Sequence, residues 1–206
     1  MGFCKNACDI IGIMKESTKG AINKMSKKIV AIVGSLRKES LNKKLALKAK
    51  EIVGEEAEFE ILEYSDIPFM NEDIEFPAPK EIERIRKQIK EADGIWIFTP
   101  EYNHFFSGVL KNLLDWMSRP VSKTEGNVLE GKPVALSGMS PGMSGTILAQ
   151  DNLVTLLSFL NMDIMNAPRL IIPRASTLVN EGVLELGNSE KYLIRQKDAF
   201  LKYLDK

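Results

Sequence analysis

Five short apolar runs, each followed by a longer stretch of helical periodicity, constrain this chain more than any other feature. The runs are "IVAIVG" (29–34), "FEILEY" (59–64), "GIWIFTP" (94–100), "KPVALSGM" (132–139) and "APRLII" (167–172). After them come 42–53, where Leu45, Ala49, Ile52 and Val53 form one stripe, 79–93 with Ile82, Ile85 and Ile89, and then 107–118, 144–161 and 189–204. Short runs that alternate with helical periods predict strands joined by helical crossovers. Parallel neighbours require such crossovers, and the crossovers are right-handed. The expected fold class is therefore α/β, a five-stranded parallel sheet with helices on both faces.

The alternation begins only at "MSKKIVAIVGS", so residues 1–26 read as an N-terminal extension and 27–206 as the body. Within the extension Phe3, Ala7, Ile10, Met14, Ala21 and Met25 recur at helical spacing, although Gly12 and Gly20 weaken a helix there. Cys4 and Cys8 are the chain's two cysteines. Two thiols at i, i+4 without a histidine or a third cysteine make a poor metal site, so no metal is expected. Their position leaves the body without a disulfide framework, which fits a reducing compartment and a cytoplasmic location. The chain carries 28 acidic and 28 basic residues. That balance argues against a nucleic-acid partner and against the acidic surface of a small electron carrier, and leaves a small molecule as the expected partner. No apolar run approaches the roughly 18 residues of a membrane span.

In a doubly wound sheet, ligands bind beyond the carboxyl ends of the strands, where the winding reverses. With the flavodoxin-like order 2-1-3-4-5, strands 1, 3 and 4 are neighbours, and three loops converge: 35–42, 100–107 and 139–145. The first loop, "GSLRKESLN", lacks both the G-x-G-x-x-G of dinucleotide sites and the second glycine of a Walker loop. It offers Ser35, Arg37, Ser40 and Asn42 at a helix start, equipment suited to a phosphate monoester held without a metal. Helix capping accounts for Asn42 equally well, but it leaves Ser35 and Arg37 unexplained. The second loop, "PEYNHFFSG", could lay a planar ring beside Tyr102, with its polar edge against Asn103. The competing reading has Tyr102 and Phe105 covering the sheet edge, with His104 a plain exposed residue. The third loop, "MSPGMSG", supplies glycines and hydroxyls that permit close backbone approach.

Taken together, "GSLRKESLNKKLA", "PEYNHFFSGVLKNLLDW" and "GKPVALSGMSPGMSGTILAQ" resemble the NADPH-dependent FMN reductase family of flavodoxin-like proteins, which includes quinone, azo-dye and chromate reductases. The resemblance spans roughly residues 27–175. It implies that Ser35, Arg37, Ser40 and Asn42 bind the FMN phosphate. Pro100, Glu101, Tyr102 and Asn103 would border the isoalloxazine, with Ser140 and Gly142 contributing from the third loop and His104 and Phe105 near the second substrate. It implies hydride transfer from NADPH or NADH through FMN to a quinone, azo compound, free flavin or metal oxyanion, with no side-chain acid or base. Ser107 stands where the family usually has proline, beside the bulky pair Phe105 and Phe106. A homodimer or homotetramer is expected, and the stripe Val109, Leu110, Leu113, Leu114, Trp116 and Met117 reads as more apolar surface than one sheet face requires. A flavodoxin-type electron carrier and a non-enzymatic flavin-binding regulator are the alternatives.

Overall fold

A computed structural model of the protein describes residues 26–206. The stripe from Phe3 to Met25 and the cysteine pair lie outside the described residues. The parallel sheet holds β1 (Lys27–Val33), β2 (Ala57–Ile61), β3 (Gly94–Thr99), β4 (Pro133–Met139), β5 (Asp163–Ile164) and β6 (Leu170–Ile172). Its order is β2-β1-β3-β4-β5, with β6 also paired to β4. The helices are α1 (Leu41–Val53), α2 (Lys80–Glu91), α3 (Gly108–Met117), α4 (Ile147–Phe159) and α5 (Glu190–Tyr203). This is the expected flavodoxin-like three-layer fold.

Alternation within each central strand assigns the two faces. Val30, Ile32, Ile95, Ile97, Val134 and Leu136 join one core with Ile82, Ile85 and Ile89 of α2, Leu110, Leu113 and Trp116 of α3, and Leu153 and Leu157 of α4. Ile29, Ala31, Val33, Trp96, Phe98 and Ala135 join the other, with Leu45 and Ala49 of α1 and Leu193 and Phe200 of α5. In that second core Trp96 stacks on Phe98 at 5.3 Å between ring centres and meets Phe200 edge-on at 5.6 Å. The Trp96 indole N–H is satisfied by the Ser137 hydroxyl at 2.8 Å.

Three expectations need correction. The fifth strand does not fill 167–172: within that range only β6, Leu170–Ile172, is strand, and a two-residue strand that was not expected, β5, precedes it. β5 pairs with the start of β4 and β6 with its end, and Pro168 lies between them without an N–H to give the ladder. A small antiparallel pair, β7 (Val179–Asn180) with β8 (Val183–Leu184), was not anticipated, because two residues per strand leave no periodicity to read. Finally, the α3 stripe is filled within the chain: Leu110, Leu113, Leu114, Trp116 and Met117 are all buried. They face the sheet and α2, and the Trp116 indole donates to the Pro68 carbonyl at 2.9 Å.

Candidate functional site

The loops that follow β1, β3 and β4 lie side by side because those strands are hydrogen-bonded neighbours. In the first loop Ser40, not Asn42, caps α1, its hydroxyl accepting from the Lys43 amide at 3.2 Å. Asn42 faces inward instead and exchanges hydrogen bonds with the main chain of Met139, Nδ2 to the carbonyl and Oδ1 from the amide, each at 3.0 Å. The capping account of Asn42 is thereby replaced by a link between α1 and the end of β4. Between Ser35 and Ser40 the amides of Leu36, Arg37, Lys38 and Glu39 have no partner among the described residues. The Arg37 guanidinium is exposed and makes one hydrogen bond, Nη2 to the Glu39 carbonyl at 2.6 Å. A hollow of about 150 Å³ flanks this loop on its β2 side, lined in part by Ser35, Arg37, Lys38 and Lys43. Four unpaired N–H groups in sequence beside a guanidinium and a helix start form an anion cradle.

The second loop turns tightly. Tyr102 and Phe105 exchange backbone hydrogen bonds of 2.8 and 3.0 Å, and Asn103 and His104 between them both have positive φ, 54° and 63°. That is a type I′ turn, which Asn and His tolerate better than most residues. It presents Tyr102, Asn103, His104 and Phe105 to solvent, with the imidazole 78% exposed. Pro100 is buried against the first loop. A Cβ on Gly34 would lie 3.0 Å from its ring, which accounts for the glycine there. Glu101 does not face the solvent: its carboxylate accepts from Ser144 Oγ at 2.9 Å and from the Ala149 amide at 3.1 Å.

In the third loop Ser140 is buried, its amide and carbonyl tied to Ile172 and Ala175, while Gly142 is exposed and its carbonyl accepts from Arg174. Gly138, at the end of β4, has no room for a side chain, since a Cβ would fall 2.5 Å from the Thr99 carbonyl oxygen. Sequence reasoning missed three residues of this region. Ser107 caps α3 and donates to the Gly34 carbonyl at 2.6 Å; its place before a helix was the available signal. Ser144 donates its hydroxyl to Glu101. Arg174, with φ 52°, sets its Nε 2.9 Å from Met143 Sδ at the rim of the third loop, and nothing in "PRAS" announced it. A separate hollow of about 490 Å³ along β6 and α5 shares no residue with the three loops.

The arrangement is an anion cradle over β1 beside a shelf of exposed aromatic and amide groups over β3, bounded by glycine-rich backbone over β4. The family model for NADPH-dependent FMN reductase matches residues 27–177. The chain belongs to that family. The 2-hydroxy-1,4-benzoquinone reductase of a Burkholderia species is 34% identical over 181 residues, covering 87% of this chain and 97% of the relative. A quinone reductase of Pseudomonas putida is 38% identical over 154 residues, covering 74% and 81%. Among solved structures, FerB of Paracoccus denitrificans, described as a flavoenzyme NAD(P)H:(acceptor) oxidoreductase, aligns with a TM-score of 0.78 at 34% identity, over 87% of this chain and 97% of that one. The cofactor of an NADPH-dependent FMN reductase fits what the loops supply: unpaired amides and a guanidinium for a phosphate, and open backbone with aromatic edges for a flat ring. The protein is an FMN-dependent oxidoreductase with NADPH or NADH as the donor.

Proposed function

We propose that the protein reduces small quinones, with FMN held across the three loops, its phosphate on 35–40 and its ring along 100–103 and 140–142. One feature of the structure carries this reading: unpaired amides beside Arg37 stand next to an exposed aromatic turn, above adjacent strands. The curated relatives named above support the acceptor class, and they match this chain over most of their own length.

In this reading bound FMN would supply the redox chemistry, two-electron transfer between the nicotinamide donor and the acceptor. The chain's residues bind and orient. Arg37, Ser35, the amides of 36–39 and the Ser40 hydroxyl neutralise and fix the phosphate. Asn42 holds the cradle to β4 from beneath. Tyr102 and Asn103 border the ring on the rigid turn, and Ser140 and Gly142 bring backbone close to its polar edge. His104 and Phe105 line the open side where a planar quinone would stack, so the site needs position rather than a side-chain acid or base. Residues 27–206 form this reductase domain, with 1–26 as an extension, in a homodimer or homotetramer located in the cytoplasm. Apolar groups exposed in the single chain and available for assembly include Met143, Ile147, Leu148 and Phe159. Among the described residues no helix is long and apolar enough to cross a membrane.

The visible spectrum of the purified protein tests the reading. Bound flavin should bleach on anaerobic addition of NADPH and recover its colour on addition of 1,4-benzoquinone. A colourless protein that does not take up FMN would overturn it. So would a flavoprotein that NADPH and NADH leave oxidised, which is the behaviour of an electron carrier or a regulator.

A further inference from the structure

A carboxylate removed from water must find donors, and Glu101 finds its two in the loop after β4 and in the helix that follows it. Its side chain is 7% exposed. One oxygen accepts from the Ser144 hydroxyl, 43 residues away, at 2.9 Å, and the other from the amide of Ala149, 48 residues away, at 3.1 Å. Ala149 stands in the first turn of α4, where backbone amides lack intrahelical acceptors. The cap residue of that helix, Thr146, makes no side-chain capping bond, because its hydroxyl accepts from Gln150 Nε2 at 3.0 Å instead. The negative charge that suits a helix start is therefore supplied from the loop after β3. A further bond runs alongside: Asn152 Nδ2 of α4 reaches the His104 carbonyl at 3.3 Å.

We propose that Glu101 is a positioning residue, a strut that sets the spacing of the two loops between which the flavin ring is held, and not a flavin ligand. The inference rests on the FMN reading of the three loops. One of its oxygens meets the third loop and the other the first turn of α4, so the residue directly before Tyr102 and Asn103 is fixed to both. Ring-bordering groups on the two loops then move as one piece. The His104 Nδ1 lies 3.9 Å from the same oxygen that Ser144 occupies, beyond hydrogen-bond distance. The exposed turn is thus carried on a buried anion.

Hydrogen exchange at the Ala149 amide and flavin affinity, both measured on the full chain, test the strut. Glu101→Ala should accelerate exchange at Ala149 with and without FMN. It should also weaken FMN and riboflavin by the same factor, about tenfold for a lost charge-assisted contact. Ser144→Ala should weaken both ligands by about threefold, and the double variant should be no weaker than Glu101→Ala alone, because the two residues act through one contact. Glu101→Gln keeps an acceptor for Ala149 and should restore the flavin absorption bands and most of the affinity. Independent, multiplying losses would overturn the proposal. Unchanged exchange at Ala149, or a Gln variant as weak as Ala, would equally point to direct contact of the charge with the flavin. If the unmodified chain bound no flavin while Glu101→Ala still exposed Ala149, the FMN reading would fail and the strut would stand.

Discussion

Asn42 and Met139, 97 residues apart, are joined by two hydrogen bonds of 3.0 Å, so the first turn of α1 is bonded to the last residue of β4 as a neighbouring strand would be. Asn42 is 2% exposed and Met139 1%. Removing the carboxamide leaves a buried N–H and a buried carbonyl without partners. Asn42→Ala should therefore lower unfolding stability by about 3 kcal/mol, at the upper end for a lost pair of buried hydrogen bonds. Urea unfolding with an unchanged slope would measure it. A loss below about 1 kcal/mol would mean that water replaces both bonds.

Arg37 stands in the opposite situation, exposed and bonded only to its own loop. Arg37→Ala should leave the melting temperature in place and weaken FMN by about 1.5–3 kcal/mol while sparing riboflavin, which lacks the phosphate. Lys38 and Lys43 border the same hollow, so some phosphate affinity should persist. Titration of the two flavins side by side checks this. Equal losses for both would move the phosphate elsewhere.

The order of elements was legible because each central strand is apolar on both faces and each helix carries its own stripe. Ile29, Ala31 and Val33 point one way, Val30 and Ile32 the other, and a residue-by-residue period needs no knowledge of partners. The places of the three loops followed from strand order alone. What stayed hidden is what joins distant residues: Asn42 to Met139, Glu101 to Ser144, Ser107 to Gly34. A polar side chain announces that it needs a partner but not which one, and Asn42 before a helical run looked like a cap. The α3 stripe failed for a related reason. Periodicity showed that Leu113 and Trp116 would be covered, but not whether the cover was a second chain or, as found, the sheet and α2. At the fifth strand Pro168 was visible in the sequence, and its missing N–H should have shortened the run to its last residues, Leu170–Ile172.

Ser107 gives a test of the family departure. Its hydroxyl donates to the Gly34 carbonyl at 2.6 Å and accepts from the Leu110 amide at 3.3 Å, so Ser107→Ala removes both a cap and a bond between two site loops. A destabilisation of about 1–2 kcal/mol is expected. Ser107→Pro should be milder, because the backbone already has φ −69°, the value that proline imposes, and the unfolded chain loses freedom. Thermal melts of the two variants check the ranking. Both variants lose the Gly34 contact, so proline proving the worse substitution would show that its ring does not fit the backbone at this position.

The type I′ turn allows the role of Asn103 to be separated from its conformation. At φ 54° alanine is strained and glycine is not, so Asn103→Gly deletes the side chain while keeping the turn. Asn103→Gly should retain stability within about 0.5 kcal/mol yet shift the flavin bands or slow reduction by NADPH, whereas Asn103→Ala should also cost about 1 kcal/mol of stability. Stopped-flow reduction and absorption spectra decide it. Unchanged spectra and rates in the glycine variant would place the ring away from this side chain.

The last prediction concerns where the folding unit begins. Among the described residues, every strand of the sheet, both cores and all three loops of the candidate site lie at residue 27 or beyond. β1 starts at Lys27, and its first residues are already paired, Lys27 with Ala57 and Ile29 with Gly94. A chain begun at Met25 should therefore fold and bind FMN with affinity within about twofold of the full chain, since every described site residue and sheet contact is kept. The rival expectation comes from the apolar stripe of Phe3, Ala7, Ile10, Met14, Ala21 and Met25. If that stripe covers exposed apolar groups such as Phe69, Phe76 or Phe159, truncation uncovers them and lowers stability in proportion to the area exposed. Flavin content, melting temperature and sedimentation of the two proteins separate the cases. Equal flavin content and melting temperature make residues 1–26 an extension, with any change confined to assembly. Loss of flavin or aggregation makes them part of the domain.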